Sequence, residues 1–136
     1  MKIHHFGPDR GEKIEKFDSD FIFSKIVRFN AEAKVSCFYL DPNGIVGYHQ
    51  AVTPQLFLVM QGVGWVRDET SGRIPIAQYQ AAFWDKDEWH EAGTDTGLVA
   101  IVIEGESLNP SEYMQIVWDG LAHARQANHA GGRFEK

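Results

Sequence analysis

The sequence has few features, other than a hydrophobic core, that would stabilise the chain. It also lacks segments that would direct the chain to a membrane or to secretion. It contains one cysteine, Cys37, in 136 residues, so an intramolecular disulfide and a multi-cysteine zinc module are both excluded. The longest apolar run, Leu98 to Ile103, is far shorter than the ~20 residues of a membrane-spanning helix. The first residues, MKIHHFGPDRGEK, contain no apolar signal region. We therefore predict a cytoplasmic protein that does not associate with membranes.

Positive charge is also scarce. Thirteen basic residues stand against 19 acidic ones, which gives a net charge of −6, and no basic stripe is visible. Such a chain is a poor candidate for binding nucleic acid or an anionic membrane. Hydrophobic residues make up 43% and charged residues 24%, values typical of folded globular proteins. We predict a single domain over residues 1–136.

Several motifs that would indicate a particular reaction or ligand are absent from the sequence. We find no glycine-rich phosphate loop, no nucleophile elbow and no HExxH helix. The pair Gly62 and Gly64 is better explained as turn chemistry. Any functional site must therefore be assembled from scattered residues.

The middle of the chain has the pattern of short antiparallel strands. VSCFYL (35–40), LFLVM (56–60), WVRD (65–68), RIPI (73–76), AAFW (81–84) and LVAIVI (98–103) are separated by turn sequences every 8 to 15 residues. The segment FIFSKIVRF (21–29) also predicts a strand. WVRD and RIPI flank Glu69 to Gly72 and predict a hairpin, and Pro75 assigns the second strand to an edge. This spacing favours an all-β barrel or sandwich with a core over about residues 21–104.

The C-terminal part has a different pattern. Asn109 is a suitable N-cap, Pro110 suits the first helical turn, and apolar residues follow at nearly helical spacing. We predict a C-terminal α-helix over about residues 110–126 and a loose tail over 128–136. Because no second domain is available to cover the apolar face of this helix, we also predict a homodimer.

Two of the six histidines lie where a predicted strand meets a loop. His49 lies in GYHQAVTPQLFLVMQGVG and His90 in AAFWDKDEWHEAG. At the mouth of a barrel such side chains commonly line a ligand site, and imidazole can bind a metal or carry a proton. The alternative is that the two histidines are unrelated surface or packing residues.

The spacing around His49 and His90 resembles the two motifs of the cupins, which are small jelly-roll barrels. The first motif, G-x5-H-x-H-x3/4-E-x6-G, maps onto His49, Ala51, Gln55 and Gly62, with its leading glycine at Asn43. The second, G-x5-P-x-G-x2-H-x3-N, is matched by type only at His90; its other positions are Tyr79, Asp85, Asp87 and Thr94. The resemblance covers about residues 35–104 and implies a double-stranded β-helix barrel, the cupin jelly roll, with the C-terminal helix added.

The resemblance also implies a metal site, from which this sequence departs. Cupin sites typically bind a divalent transition metal through three histidines and one glutamate. Here Ala51 supplies no ligand, and Gln55 offers a neutral amide oxygen. The remaining metal ligands would be His49, Gln55 and His90, and we expect at most one weakly bound divalent transition metal, because the site no longer neutralises the ion. The alternative is a metal-free pocket.

Strand alternation extends this set of residues to a predicted pocket. If Gln55 points inward, Phe57 and Val59 share its face, while Leu56, Leu58 and Met60 face the other way. The predicted lining is His49, Ala51, Gln55, Phe57 and His90. Trp65, Phe83, Trp84 and Trp89 are candidates for an aromatic wall, although aromatic residues in a small barrel more often belong to the core.

The function predicted from these features is binding of a small molecule inside a single-domain cupin. The alternative is an enzyme, either a metal-dependent oxygenase or isomerase, or a metal-free isomerase or epimerase in which His49 or His90 moves a proton. A third alternative is a structural barrel that dimerises through its edge strands and C-terminal helix. The sequence does not name the ligand, the metal or the catalytic residues.

Overall fold

The computed structural model describes residues 1–122, and these form eleven β-strands. In chain order the strands are β1 (Lys2–His5), β2 (Glu12–Ile14), β3 (Phe21–Phe23), β4 (Ala33–Leu40), β5 (Ile45–Gln50), β6 (Gln55–Asp68), β7 (Ile74–Ala77), β8 (Gln80–Trp84), β9 (Trp89–Gly93), β10 (Leu98–Gly105) and β11 (Gln115–Asp119). Short 3-10 turns lie at Pro8–Arg10, Lys16–Asp18 and Pro110–Glu112. Residues 120–122 are helical. In this part of the chain no helix has the length and apolar character needed to cross a bilayer.

The fourteen-residue strand β6 connects the two halves of the barrel. Its first half lies between β8 and β10, within the strand order β11-β1-β8-β6-β10-β4. Its second half lies between β7 and β9, and β9 also pairs with β5. The change of partners occurs at Gly62, where φ is +90° and a Cβ atom would collide with the carbonyl oxygen of Gly97. Glycine is therefore required where the strand passes from one sheet to the other.

The hydrophobic core lies on both faces of β6. Phe57 and Val59 face the barrel interior, where they pack with residues of β1, β8, β9 and β10. Leu56 and Leu58 face outward and are covered by a second cluster that includes Phe6, Leu108 and Met114. The alternation predicted for Phe57 and Val59 against Leu56 and Leu58 is confirmed, and cover on both faces explains why LFLVM is uniformly apolar.

Several predicted strands are confirmed, with changed boundaries. The β6–β7 hairpin pairs Val66 with Ile74, and within the described residues β7 pairs only with β6, as Pro75 predicts. LFLVM and WVRD are one strand instead of two, because the QGVG sequence bends β6 without reversing it. FIFSKIVRF is a strand only over Phe21–Phe23, where it pairs with β2 in a separate two-stranded sheet.

The predicted limits of the barrel and of the helix need correction. The sheet begins at Lys2 and extends to Asp119, beyond the predicted core of residues 21–104. The prediction of a helix from Pro110 is wrong up to residue 119, because residues 115–119 form β11 and pair with β1. Ile116, Val117 and Trp118 favour a strand once a partner edge is available, and that pairing outweighs the helical spacing. Helical residues begin at Gly120 and continue to the last described residue, 122. Residues 123–126 and the predicted tail lie outside the described residues.

Candidate functional site

His49 and His90 lie directly opposite each other on the antiparallel strands β5 and β9. Their ring centroids are 4.3 Å apart, with an angle of 56° between the ring planes. The environments of the two rings differ, since His90 is 1% exposed and His49 is on the exposed side. One ring of the pair, His90, therefore lies in the barrel interior, and the other, His49, lies at the surface.

The hydrogen bonds of the two rings orient their nitrogens. Nδ1 of His49 lies 2.6 Å from the carbonyl oxygen of Gly47, and because a carbonyl can only accept, Nδ1 donates. A neutral His49 therefore keeps a lone pair on Nε2. Nδ1 of His90 faces the carbonyl oxygen of Glu88 at 3.5 Å. Burial, followed by the neighbouring His49, lowers the pKa of His90 from its ordinary 6.5 to about 4, so His90 is neutral at physiological pH.

An aromatic stack supports His90 from below. Trp84 packs against the His90 ring at 4.6 Å and an angle of 28°, and Phe57 meets the edge of Trp84 at 6.1 Å. Both Trp84 and Phe57 are buried. Nε2 of His90 and Nε1 of Trp84 have no hydrogen-bond partner among residues 1–122, although both atoms are buried. Buried polar atoms without a partner are uncommon in folded proteins, and a functional role is one of the explanations for them.

A cavity of about 510 Å³ opens beside His49 at this end of the barrel. Its walls come from the start of β4, the end of β5 with the loop that follows, the start of β6 and the end of β10. The lining residues are Glu32, Ala33, Lys34, His49, Gln50, Ala51, Val52, Thr53, Gln55, Glu104, Gly105 and Glu106. This volume is within the range of small-molecule sites.

The structure brings three of the five predicted pocket residues to this cavity. His49, Ala51 and Gln55 line it, and Ala51 and Gln55 are otherwise buried. Phe57 and His90 do not line it; both are buried, and His90 contacts His49 and Trp84. The loop that carries Ala51 is held in place because its backbone pairs with Glu88 and Asp87.

Sequence reasoning missed the charged rim of the cavity. Glu32, Glu104 and Glu106 lie there with one lysine, Lys34, whose Nζ atom is 3.9 Å from Glu104. These residues come from the beginning of β4 and the end of β10, which pair in register. The sequence could have predicted this rim only if LVAIVI had been paired with VSCFYL, because that pairing places Glu104 opposite Lys34.

The four candidates for an aromatic wall occupy different places. Only Trp84 lies inside the barrel next to a site residue. Phe83 packs on the outer cluster, and Trp89 stacks on Tyr48 at 5.3 Å with more than a third of its surface exposed. Trp65 is covered by the Arg73 guanidinium at 3.9 Å. The described residues therefore supply one indole to the site.

Solved structures with the same arrangement of strands share low sequence identity with this chain. A cupin-superfamily protein from Desulfitobacterium hafniense aligns with a TM-score of 0.52 and 13% identity over 62% of this chain and 77% of its own. An RmlC-like cupin from Shewanella frigidimarina gives 0.51 and 20% over 60% and 69%. A cupin-like protein from Thermotoga maritima gives 0.51 and 18% over 65% of each chain. The chain has a cupin fold.

This result confirms the predicted all-β cupin jelly roll with a C-terminal helix, of which residues 120–122 are described. No protein-family model and no curated protein sequence matches the chain. At these identities the likeness concerns the fold alone, so the function of this cupin-fold chain must be argued from its own residues.

The backbone at the four glycine positions of the cupin motifs supports the alignment. Gly62 has a φ of +90°, and Asn43, Tyr79 and Asp87, which stand at the other three positions, have φ values of 66°, 70° and 72°. Side chains with a Cβ atom rarely adopt this left-handed region, and a tyrosine there is a clear outlier. The cupin-fold turns are therefore kept although three of their glycines are replaced.

We expect Asp87→Gly to stabilise the protein by about 0.5–1 kcal/mol, because glycine adopts a positive φ without the steric cost of a Cβ atom. Asp87→Ala should instead destabilise it by a similar amount. Both changes remove the same carboxylate, so the difference between the two free energies of unfolding reports the effect of the backbone conformation at residue 87. Urea unfolding measures the two free energies, and a glycine variant no more stable than the alanine variant would contradict the strain.

The site does not fit a resident metal ion. Within residues 1–122, no group of three or more His, Cys, Asp and Glu side chains is placed to hold one. The predicted ligands His49, Gln55 and His90 supply two imidazoles and a neutral amide, and Ala51 adds nothing. With no anionic ligand in the set, a bound divalent cation would remain uncompensated. Weak binding by these three residues stays a prediction.

Proposed function

We propose that the chain binds a small organic molecule in the cavity beside His49. The observation that carries the proposal is the cavity itself, about 510 Å³ in volume, with His49 and Gln55 in its wall and Ala51 leaving room next to them. Because its Nδ1 donates to Gly47, a neutral His49 ring offers Nε2 as an acceptor. Gln55 adds both a donor and an acceptor. A few polar groups in a mostly preformed cavity are typical of ligand sites.

The charges at the rim restrict the class of ligand. Three glutamates and one lysine surround the opening, and Lys34 already faces Glu104. A ligand that carries a negative charge would meet this acidic rim unfavourably. The free acceptor on His49 instead needs a hydroxyl or an N–H donor. We therefore propose a neutral polyhydroxyl compound or a small amine as the ligand.

An enzymatic function is the second candidate, and the His49–His90 contact favours it. His90 is neutral at physiological pH and has an unpaired Nε2, and its ring contacts that of His49, so the pair could transfer a proton to or from a ligand. The enzyme would then be a metal-free isomerase or epimerase. A metal-dependent oxygenase or isomerase has less support, because the donor set lacks an anionic ligand.

The binding proposal can be tested with hexoses, aliphatic diamines and dicarboxylates of similar size, using thermal unfolding and calorimetry. A ligand present at 100 times its Kd should add about 2.7 kcal/mol to the free energy of unfolding. We expect a hexose or a diamine to stabilise the protein and the dicarboxylates to have no effect. Native mass spectrometry of freshly purified protein should detect any ligand retained from the host.

The matched variants are Ala51→Phe, which fills the cavity, and Val63→Phe, which changes a 53% exposed residue of β6 that does not line it. The first should abolish stabilisation by the ligand and the second should leave it unchanged. The proposal is wrong if the ligand stabilises Ala51→Phe as much as the parent, or if no member of the panel stabilises the parent and no ligand is retained.

A further inference from the structure

Four side chains form a row across the inner face of the barrel, which we call the inner row. It consists of Trp84 on β8, Gln55 on β6, Glu104 on β10 and Lys34 on β4, and the strand register places each residue directly opposite the next. Directly opposite residues of antiparallel strands share one face, and their Cβ atoms are about 4.5–5.5 Å apart. The last three residues of the inner row line the cavity beside His49.

Exposure to solvent rises along the inner row. Trp84 is fully buried and Gln55 is 5% exposed, whereas the side chains of Glu104 and Lys34 are 35% and 76% exposed. The row therefore crosses the cavity from the barrel interior to the solvent. Because burial of a charge is costly, a ligand along this row should place a neutral polar group at Gln55 and any charged group farther out.

The side-chain amide of Gln55 has hydrogen-bonding capacity that the described chain does not use. It forms no hydrogen bond with any side chain or backbone group of residues 1–122, although it is almost completely buried at the cavity wall. An amide offers two N–H donors and one acceptor oxygen. Since buried polar side chains usually have partners, this amide is matched by a ligand group that both donates and accepts, such as a hydroxyl.

The carboxylate of Glu104 also lacks a close partner. Within residues 1–122 it accepts no hydrogen bond, and its ion-pair partner, Nζ of Lys34, is 3.9 Å away and largely exposed. Such a pair is weak, because water screens it. Glu32 and Glu106 line the same cavity, and neither has an ion-pair partner in that part of the chain. Three carboxylates and one ammonium give the opening a net charge of −2, which favours a cationic ligand group.

We propose that the ligand of this cavity is an amino alcohol, whose ammonium group binds Glu104 and whose hydroxyl group binds Gln55. This inference rests on the proposed function, because it names the chemical class of the ligand in the same cavity. The ammonium and the hydroxyl must lie within about 5 Å of each other, since the two side chains are directly opposite. Nε2 of a neutral His49 accepts a hydrogen bond from a second hydroxyl. An unacylated amino sugar carries all of these groups.

Simpler ligands satisfy only one end of the inner row. A neutral hexose supplies hydroxyl groups to Gln55 but leaves the acidic opening without a compensating charge. A protonated diamine compensates the glutamates but has no acceptor for the N–H groups of Gln55. An amino alcohol meets Gln55 and Glu104 with a single molecule.

Glucosamine, glucose and N-acetylglucosamine are the probes for this proposal. They differ at one carbon atom, which carries an ammonium, a hydroxyl or an uncharged amide. We expect the parent to bind glucosamine at least about 10-fold more tightly than either neutral sugar, as for a hydrogen bond to a charged group. Isothermal titration at neutral pH measures the three affinities, and added salt should weaken the binding of glucosamine alone.

Three variants assign the preference to the inner row. Glu104→Gln keeps the size of the side chain and removes its charge, so it should abolish the preference for glucosamine and leave the Kd of glucose unchanged. Glu69→Gln is the matched control, because it removes the same charge from an exposed residue outside the cavity. Gln55→Leu should weaken glucosamine and glucose alike, by about 5-fold, because both lose the amide partner.

The outcomes separate the ligand class from the binding function. A preference for glucosamine that is lost in Glu104→Gln and kept in Glu69→Gln supports the proposal. If the parent binds glucose as tightly as glucosamine, the amino alcohol is wrong while the binding function stands, and this comparison needs no variant. If the preference survives in Glu104→Gln, the ammonium binds elsewhere and the proposal is also wrong. If neither these sugars nor the diamines bind and no ligand is retained, both proposals fail.

Discussion

Replacing Ala51 with histidine and Gln55 with glutamate should raise the affinity for a divalent metal at least about 100-fold. The reason is that both positions line the same cavity as His49, and the two changes supply the missing imidazole and the missing negative charge. Changes to outer-shell groups alone alter metal affinity by about 10–100-fold. One added imidazole, together with a carboxylate in place of the neutral amide of Gln55, should exceed that range. Isothermal titration of the parent and the double variant with Mn²⁺, Ni²⁺ and Zn²⁺ measures the gain.

Two further substitutions in the double variant serve as controls. Adding His49→Ala or His90→Ala should abolish the gain, and because His49 is exposed its removal should not disturb the fold. Val52→His with Gln55→Glu is the matched negative control, since Val52 is 82% exposed at the cavity wall next to Ala51. If the parent already binds one ion tightly and the double change adds nothing, our interpretation of the site as one that has lost its metal ligands is wrong.

The all-β fold could be predicted because its signals are local. Turn sequences such as Asp41 to Gly44 interrupt apolar runs at short intervals, and the alternation around Phe57 assigns each face of β6. The strand β11 could not be predicted in the same way. Its residues Ile116 and Trp118 form a strand because β1 is adjacent, and the N-terminal segment that supplies β1 has no strong pattern of its own.

Only the part of the candidate site that lies within one motif could be predicted from the sequence. His49, Ala51 and Gln55 lie on one segment, so their spacing and strand alternation are enough to place them together. The burial of each residue depends on packing across strands, which explains why Phe57 and His90 are buried and do not line the cavity. The acidic rim comes from β4 and β10, whose register is set by long-range pairing.

The stability of the protein should fall steeply between pH 6.5 and pH 4, because two buried histidines are neutral in the folded state. Burial lowers the pKa of both His4 and His90 to about 4, from an ordinary value of 6.5. Between these two values the unfolded chain binds protons that the folded chain does not, so the free energy of unfolding decreases as the pH falls. At pH 5 each histidine should cost about 2 kcal/mol relative to pH 8.

Substitution of either histidine should flatten this pH dependence. His90→Phe retains a ring against Trp84 and removes both the titrating group and the unpaired Nε2 atom. His4→Gln removes the titrating ring and keeps a polar side chain near Ser111, whose hydroxyl lies 3.1 Å from Nε2 of His4. Each variant should lose about 2 kcal/mol less than the parent between pH 8 and pH 5, as measured by urea unfolding at several pH values.

This window excludes most carboxyl groups, which titrate below pH 5, and the lysines, which titrate well above pH 8. Comparison of each variant with the parent cancels the contribution of the other groups in the window, including the N-terminal ammonium that pairs with Asp68 and Glu88. The absolute stability at pH 8 serves as the internal control, since it contains the packing effect of each substitution without the protonation effect. If the His90→Phe curve runs parallel to that of the parent from pH 8 to pH 5, His90 binds protons equally in the folded and unfolded states, and burial does not lower its pKa. His90 would then take up a proton beside His49 near its ordinary pKa of 6.5, and the conclusion that His90 is held neutral in the folded protein would be withdrawn.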